Sequence, residues 1–216
     1  MFFVCSEDGK ILTVDTPMLA APVQFLEMAF SGRHPVQNPS STEIGEIWSS
    51  AVNLEGFAFG YVFAAETKLA GKSLSSASLG LKLNDGMRYL RSSLNSEEME
   101  VLDPGFGTTL PILAENEFDL IYFTPVMPVP GKPGYGLALL GDLRKFVPVT
   151  RDRFASFGLN SDLFTLRSFG SVPVDVAVVV NGQISRVVTM ECPGSDSLET
   201  NFNLDVDSFE YFCTYA

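Results

Sequence analysis

The sequence has very few of the residues from which most catalytic and metal sites are built. It contains one histidine, His34, and three cysteines, Cys5, Cys192 and Cys213. One imidazole cannot supply a multi-histidine metal site, and every Ser-His or Cys-His mechanism would have to run through His34, which lies in a Pro/Ser-rich segment without a diagnostic motif. These four side chains also lack the paired spacing of structural zinc sites. The sequence therefore predicts no catalytic residue, no metal ligand and no cofactor.

Phosphate-binding and calcium-binding motifs are missing as well. Residues 71–73 (Gly-Lys-Ser) end like a Walker A loop, but Glu66 stands where its first glycine is required. Residues 134–136 (Gly-Tyr-Gly) lack the third glycine of a dinucleotide fingerprint. Asp205 and Asp207 lie two apart, on what we interpret as the solvated face of a strand, and no D-x-D-x-D-G run is present.

Positive charge is scarce, with 14 Lys and Arg against 26 Asp and Glu and a formal net charge of −12. Nucleic acids and anionic membrane surfaces attract clustered cations, so this balance argues against both as partners. Residues 191–216 are acidic, include Glu210, and contain no Lys or Arg. The sequence has one basic cluster, formed by Arg144, Lys145, Arg151 and Arg153. We interpret this cluster as a solvated face or as the complement to the acidic segment of a neighbouring subunit.

Long apolar runs and secretion signals are not found in the sequence. No run approaches the roughly 20 apolar residues of a membrane span. The N-terminal apolar stretch has no basic start and no cleavage site, so it is not interpreted as a signal peptide. Three cysteines in a chain of this length do not suggest a disulfide framework. We therefore expect a reduced protein, cytoplasmic or within an assembled particle.

Apolar residues make up 46% of the 216-residue chain, and 18 of them are Phe. So many Phe side chains indicate a large core or a large apolar contact surface. The length fits a single domain over residues 1–216. A sub-domain break is predicted near residues 125–133, because four Pro and three Gly fall within residues 125–136.

Hairpin and strand patterns dominate the remaining sequence. Two β-branched runs, 174–180 and 184–189, meet at Asn181-Gly182, the pair most typical of a type I′ hairpin. Residues 57–63 alternate bulky aromatic with small side chains, which predicts a strand packed on both faces. Eight to eleven strands are expected in total.

Helices are expected at a few places. Residues 22–30 are apolar nearly all round, which predicts a helix that is buried or lies in a subunit interface. Shorter helices are predicted over 42–50, 86–94, 95–102, where Asn95 and Glu98 resemble a capping box, and 151–157. The predicted fold is a β-rich α+β class: antiparallel, sandwich-like sheets, two to four short helices and a C-terminal hairpin around Asn181-Gly182.

The leading functional hypothesis is a non-enzymatic structural subunit of a larger protein assembly, such as a virus or phage particle component. Its partners would be copies of itself or other assembly proteins. The predicted interface residues are Phe25, Met28, Phe30, Arg144, Lys145, Arg151, Arg153, Asp205, Asp207 and Glu210. Two alternatives stay open: a small-molecule or carbohydrate-binding β domain, with or without carboxylate-based hydrolysis, and an acidic regulatory or inhibitor protein that binds a basic partner.

Overall fold

The structure, a computed structural model, describes residues 4–5, 11–12, 47–65, 73–76, 79, 81–113, 118–151, 153–159, 163–168, 173–191, 198–203 and 210–215. Within these ranges the chain forms seventeen strands and no helix. In every pair of neighbouring strands the two run antiparallel. The predicted antiparallel sheets are therefore confirmed.

The strands form one five-stranded, two four-stranded and two two-stranded sheets in the described residues. The five-stranded sheet has the order β3-β4-β9-β6-β7, and the four-stranded sheets have the orders β10-β11-β14-β15 and β12-β13-β16-β17. The small sheets pair β1 with β2 and β5 with β8. The strands are β1 (Val4–Cys5), β2 (Ile11–Leu12), β3 (Ile47–Leu54), β4 (Phe57–Ala65), β5 (Ser73–Ser75), β6 (Tyr89–Ser93), β7 (Ser96–Leu102), β8 (Gly107–Thr109), β9 (Phe118–Pro125), β10 (Met127–Pro128), β11 (Tyr135–Gly141), β12 (Phe154–Leu159), β13 (Leu163–Ser168), β14 (Pro173–Val180), β15 (Gln183–Glu191), β16 (Leu198–Asn203) and β17 (Glu210–Tyr215).

The hairpin at Asn181-Gly182 is confirmed. Val180 pairs with Gln183 across it, and both turn residues have positive φ, 51° and 80°, as a type I′ turn requires. The N–H of Asn181 donates to the carbonyl of Gly134 over 2.7 Å. The tip of the hairpin is thereby attached to the connection between β10 and β11.

The two-faced character of β4 is also confirmed. Phe59 and Tyr61 pack into one apolar cluster, while Val62, on the other face, packs into a second. A Cβ built at Gly60 would lie 3.0 Å from a methyl of Leu83 and 3.2 Å from the Cβ of Phe123. The absence of a side chain at this glycine is what lets its neighbours approach so closely.

The predicted helical component is wrong in the described residues, so the α+β class is replaced by an all-β architecture. Of residues 42–50, those from Ile47 onward belong to β3. Residues 86–94 contain a turn and β6, residues 95–102 contain a turn and β7, and residues 151–157 lead into β12. The predicted helix over 22–30 lies outside the described residues, and the predicted domain division stays a prediction.

Strand pairing explains why the helical patterns failed. The spacing of Met87, Leu90 and Leu94 resembles a helix face, but β6 lies between β7 and β9, with Tyr89 and Leu90 buried on opposite faces. The presumed capping residue Asn95 instead donates its side-chain amide to the carbonyl of Phe118, on β9. Local helical signals therefore lost to long-range sheet formation, which buries both faces of β6.

The largest apolar cluster draws side chains from all three larger sheets. Phe59 and Tyr122 come from the five-stranded sheet, Val176 from β14, and Phe154 and Phe164 from β12 and β13. Each is at most 5% exposed. Burial of this kind contributes about 25 cal/mol per Å² of apolar surface, so this shared core is the main link between the sheets.

Central strand β11 is buried on both faces, since Leu137 and Leu139 join the largest cluster while Ala138 and Leu140 join another with Leu90. This burial accounts for its nearly continuous apolar sequence.

Among the described residues, no helix has the length and apolar character needed to cross a membrane.

Candidate functional site

The predicted basic cluster lies in the connection from β11 to β12, which we call the basic loop (residues 142–151 and 153). It begins after Gly141, whose φ is +77°. The Asp142 side chain is only 2% exposed, and its carboxylate accepts from the Arg144 backbone N–H at 3.1 Å and from Arg144 Nε at 2.9 Å. The Arg144 side chain itself is 68% exposed. One buried carboxylate therefore holds a cation at the surface.

Two further arginines bind main-chain carbonyls. Arg151 donates from Nε to the carbonyl of Asn53 over 3.0 Å, which ties the loop to the end of β3. Arg153 donates from Nη1 to the carbonyls of Val147 and Pro148, at 2.7 and 3.2 Å. These contacts fix the conformation of the basic loop, although they use part of the hydrogen-bonding capacity that we had assigned to a partner.

Arg144, Lys145, Arg151 and Arg153 all lie in the basic loop, between β11 and β12, and their place in an interface stays a prediction. The other predicted interface residues are not united with them by any described contact. Glu210 begins β17, where it pairs with Asn203. Phe25, Met28, Phe30, Asp205 and Asp207 lie outside the described residues.

A second candidate site is a polar region on one face of the five-stranded sheet. Arg91 and Ser93 alternate with buried residues on β6, and Arg91 pairs with Glu100 on β7. On β9, Asp119 lies two residues before Ile121, which pairs with Ser93. Side chains two apart on a strand share a face, so all of these groups lie on one side of the sheet.

The same sheet face is apolar at its other end. There Tyr89, Ile121 and Phe123 are covered by Leu79, Leu81 and Leu110. Within the described ranges this cover does not extend over the polar end, where an open cleft has a volume of about 660 Å³. The cleft is lined by Arg91, Ser93, Asn95, Ser96, Glu98, Pro111, Ile112, Leu113, Phe118 and Asp119. Ile112, in this lining, is 81% exposed.

Asp119 is a buried carboxylate held by fixed donors. Its Oδ1 accepts from the N–H of Asn95 at 3.2 Å and from the N–H of Leu120 at 2.9 Å. Burial raises the pKa of Asp119, while these two N–H groups, the Ser93 hydroxyl and the positive charge of Arg91 act to lower it. Desolvation is the largest of these effects, so the pKa lies above the usual value for an aspartic acid.

The raised pKa predicts that Asp119 destabilises the fold when it ionises. This cost is absent while the carboxyl is protonated in both the folded and the unfolded state, and it develops as the pH rises through the folded-state pKa. Asp119→Asn keeps an acceptor for Asn95 and Leu120, so the unfolding free energy of the wild type, relative to this variant, should fall between about pH 4 and about pH 8. Urea unfolding at both pH values measures the change.

The matched control is Asp85→Asn, which removes a carboxylate at an exposed position. The two variants should diverge, because only Asp119 is desolvated. A wild type that gains stability over Asp119→Asn as the pH rises would contradict the assigned cause.

Sequence reasoning missed this cleft entirely. The clearest signal was Asp119, which stands between the apolar residues Phe118 and Leu120 in the next strand of the sheet. The residues 86–102 were interpreted as helical, and that placed these side chains on unrelated faces. In the described ranges, no three His, Cys, Asp or Glu side chains gather where they could hold a metal ion.

No protein-family model matches this chain, and a search of curated proteins found no match either. Support for a function therefore comes from the geometry of the described residues.

Proposed function

We propose that this protein is a non-enzymatic structural subunit of a larger protein assembly, in which a basic surface of one copy contacts an acidic surface of the next. The observation that supports the proposal is the separation of charge on the described surface. Four cations are gathered in the basic loop of a chain with a net charge of −12. A contact between two different surfaces of identical subunits is heterologous, and it builds rings or open arrays.

The basic loop is suited to such a contact because its conformation is fixed before binding. Arg144 is held by Asp142, and Arg151 is held by the carbonyl of Asn53. Side chains that are ordered in the free protein lose less entropy on association. The Arg144 side chain is nevertheless largely exposed and remains accessible to a second carboxylate.

The acidic surface is provided by β7, at the outer edge of the five-stranded sheet. Three residues of β7 are exposed glutamates, and we call this strand the acidic strand: Glu97, Glu98 and Glu100. Opposite charges across an interface accelerate encounter and select the partner. The acidic strand takes the place that we had assigned to residues 191–216, half of which are outside the described residues.

Apolar contacts contribute little to the surface described here. Ile112 and Val187 are the exposed large hydrophobic residues of the described ranges, at 81% and 42%. An association based on exposed charges is screened by salt, with a Debye length of about 8 Å at physiological ionic strength. The proposed contact should therefore weaken as salt is added.

Charge reversal in the basic loop provides the test. Lys145→Glu should raise the dissociation constant for self-association several-fold, since an exposed ion pair is worth up to about 1 kcal/mol and reversal adds repulsion. Lys82→Glu, at an exposed position outside the loop, is the control. Both variants change +1 to −1, so each moves the net charge from −12 to −14. Sedimentation velocity over a concentration series reports the constants.

Adding Glu97→Lys to the Lys145→Glu variant should restore association, because the exchanged charges again attract. Equal weakening by Lys145→Glu and Lys82→Glu would mean that only net charge matters and would remove the basic loop from the contact. Unfolding curves of each variant exclude a loss of folding as the cause.

A further inference from the structure

The floor of the 660 Å³ cleft carries charges of both signs. Arg91 offers guanidinium donors, and Asp119 and Glu98 offer carboxylate acceptors. Ser93 and Ser96 contribute hydroxyls, and Asn95 contributes a side-chain amide. A ligand that both donates and accepts hydrogen bonds at several closely spaced groups would satisfy this set.

We propose that the cleft binds a neutral, hydroxyl-rich ligand, namely one or two sugar rings. Every sugar hydroxyl both donates and accepts, as this mixed lining requires. A volume of about 660 Å³ also lies within the usual range of small-molecule sites. The inference goes beyond the assembly role proposed above and shares only Glu98 with the acidic strand.

The apolar side of the cleft fits the same class of ligand. Pro111, Ile112 and Leu113 are consecutive residues of its lining, and Ile112 is 81% exposed. A sugar ring has C–H groups on its faces as well as hydroxyls at its edge. Placing a ring face against Ile112 would remove apolar surface from water, while the ring edge reached the polar floor.

Other ligand classes match the lining less well. An inorganic or organic phosphate would meet the carboxylates of Asp119 and Glu98, and a small cation would meet Arg91. A purely apolar ligand would desolvate six polar side chains without pairing them, which is costly. A neutral polyol avoids each of these penalties.

The binding groups are also positioned before a ligand arrives. Asp119 is held by the N–H groups of Asn95 and Leu120, and Asn95 is tied to the carbonyl of Phe118. Arg91 donates from Nη2 to the carbonyl of Thr109 at 3.4 Å, while its Nε is buried without a hydrogen-bond partner in the described part of the chain. A floor fixed in this way loses little entropy when a ligand binds.

The test is saturation-transfer NMR of the full chain with glucose, galactose, mannose, N-acetylglucosamine, maltose and lactose, each titrated singly. Inorganic phosphate and choline serve as charged probes. At least one sugar should saturate with a dissociation constant of about 1 mM or below, while phosphate and choline should not. Glu98→Gln and Asp119→Asn should each weaken that sugar about tenfold, because they remove a charged acceptor.

The matched control is Glu55→Gln, which removes a carboxylate at an exposed position in the turn between β3 and β4 and outside the lining of the cleft. It should change the affinity by less than about twofold. Three outcomes would overturn the inference: no sugar saturates, a charged probe binds in preference, or Glu55→Gln weakens binding as much as Glu98→Gln. Asp119→Asn, which lies outside the acidic strand, separates sugar binding from self-association.

Discussion

Replacing Gly141 by alanine is expected to destabilise the fold by about 3 kcal/mol. Gly141 has a φ of +77°, and a Cβ at this position would lie 2.6 Å from the carbonyl oxygen of Pro148 and 2.8 Å from its carbon. The new methyl would therefore push the basic loop away from β11. Equilibrium unfolding in urea measures the loss.

Gly105→Ala is the control for backbone conformation alone. Gly105 has a similar φ of +75°, but no atom lies within 4 Å of a Cβ built there. Its loss should be about 1 kcal/mol, since only the left-handed conformation is penalised. Equal losses at the two glycines would show that the loop shifts without cost and that its close contact with β11 is unimportant.

Tyr61→Phe is expected to cost about 2 kcal/mol, because it removes the hydroxyl that pairs both backbone groups of Val149. The Tyr61 hydroxyl donates to the Val149 carbonyl at 2.8 Å and accepts from the Val149 N–H at 3.3 Å. Tyr61 and Val149 are 3% and 1% exposed, so water cannot replace the lost bonds. Urea unfolding of the variant tests this expectation.

Tyr122→Phe is the matched control, since the two rings pack edge to face at a centroid distance of 6.1 Å. The Tyr122 hydroxyl is buried without a hydrogen-bond partner among the described residues. Its removal should leave the unfolding free energy unchanged or raise it by up to about 1 kcal/mol. If Tyr122→Phe lowered the unfolding free energy more than Tyr61→Phe, the hydrogen bonds of the Tyr61 hydroxyl to Val149 would not stabilise the basic loop as assigned.

The parts of the fold that were predicted correctly are those that local residues determine. Asn181-Gly182 dictates its own turn, because both positions need positive φ. The alternation in β4 likewise reports two packed faces directly. Such signals need no knowledge of the strands that eventually pair with them.

The parts that were predicted wrongly depend on residues far apart in the chain. Residues 89–93 become a strand because β9, about thirty residues away in sequence, pairs with them. Spacing along the chain could not reveal which neighbours a segment would acquire.

The candidate sites show the same division. The four cations of the basic loop were identified because they are close in sequence. Their ties to Asp142 and to the Asn53 carbonyl were not, since these depend on how the loop folds back. The cleft was missed because Arg91, Glu98 and Asp119 converge only when β6, β7 and β9 pair.

The most direct test of the proposed assembly role is sedimentation velocity of the wild-type chain from about 1 to about 200 μM, in about 0.05 M and about 0.5 M salt. The proposed contact predicts that the sedimentation coefficient increases with concentration at low salt and that the increase is reduced at high salt. A single monomeric species at every concentration, in both salt conditions, would contradict self-assembly through the basic loop and the acidic strand.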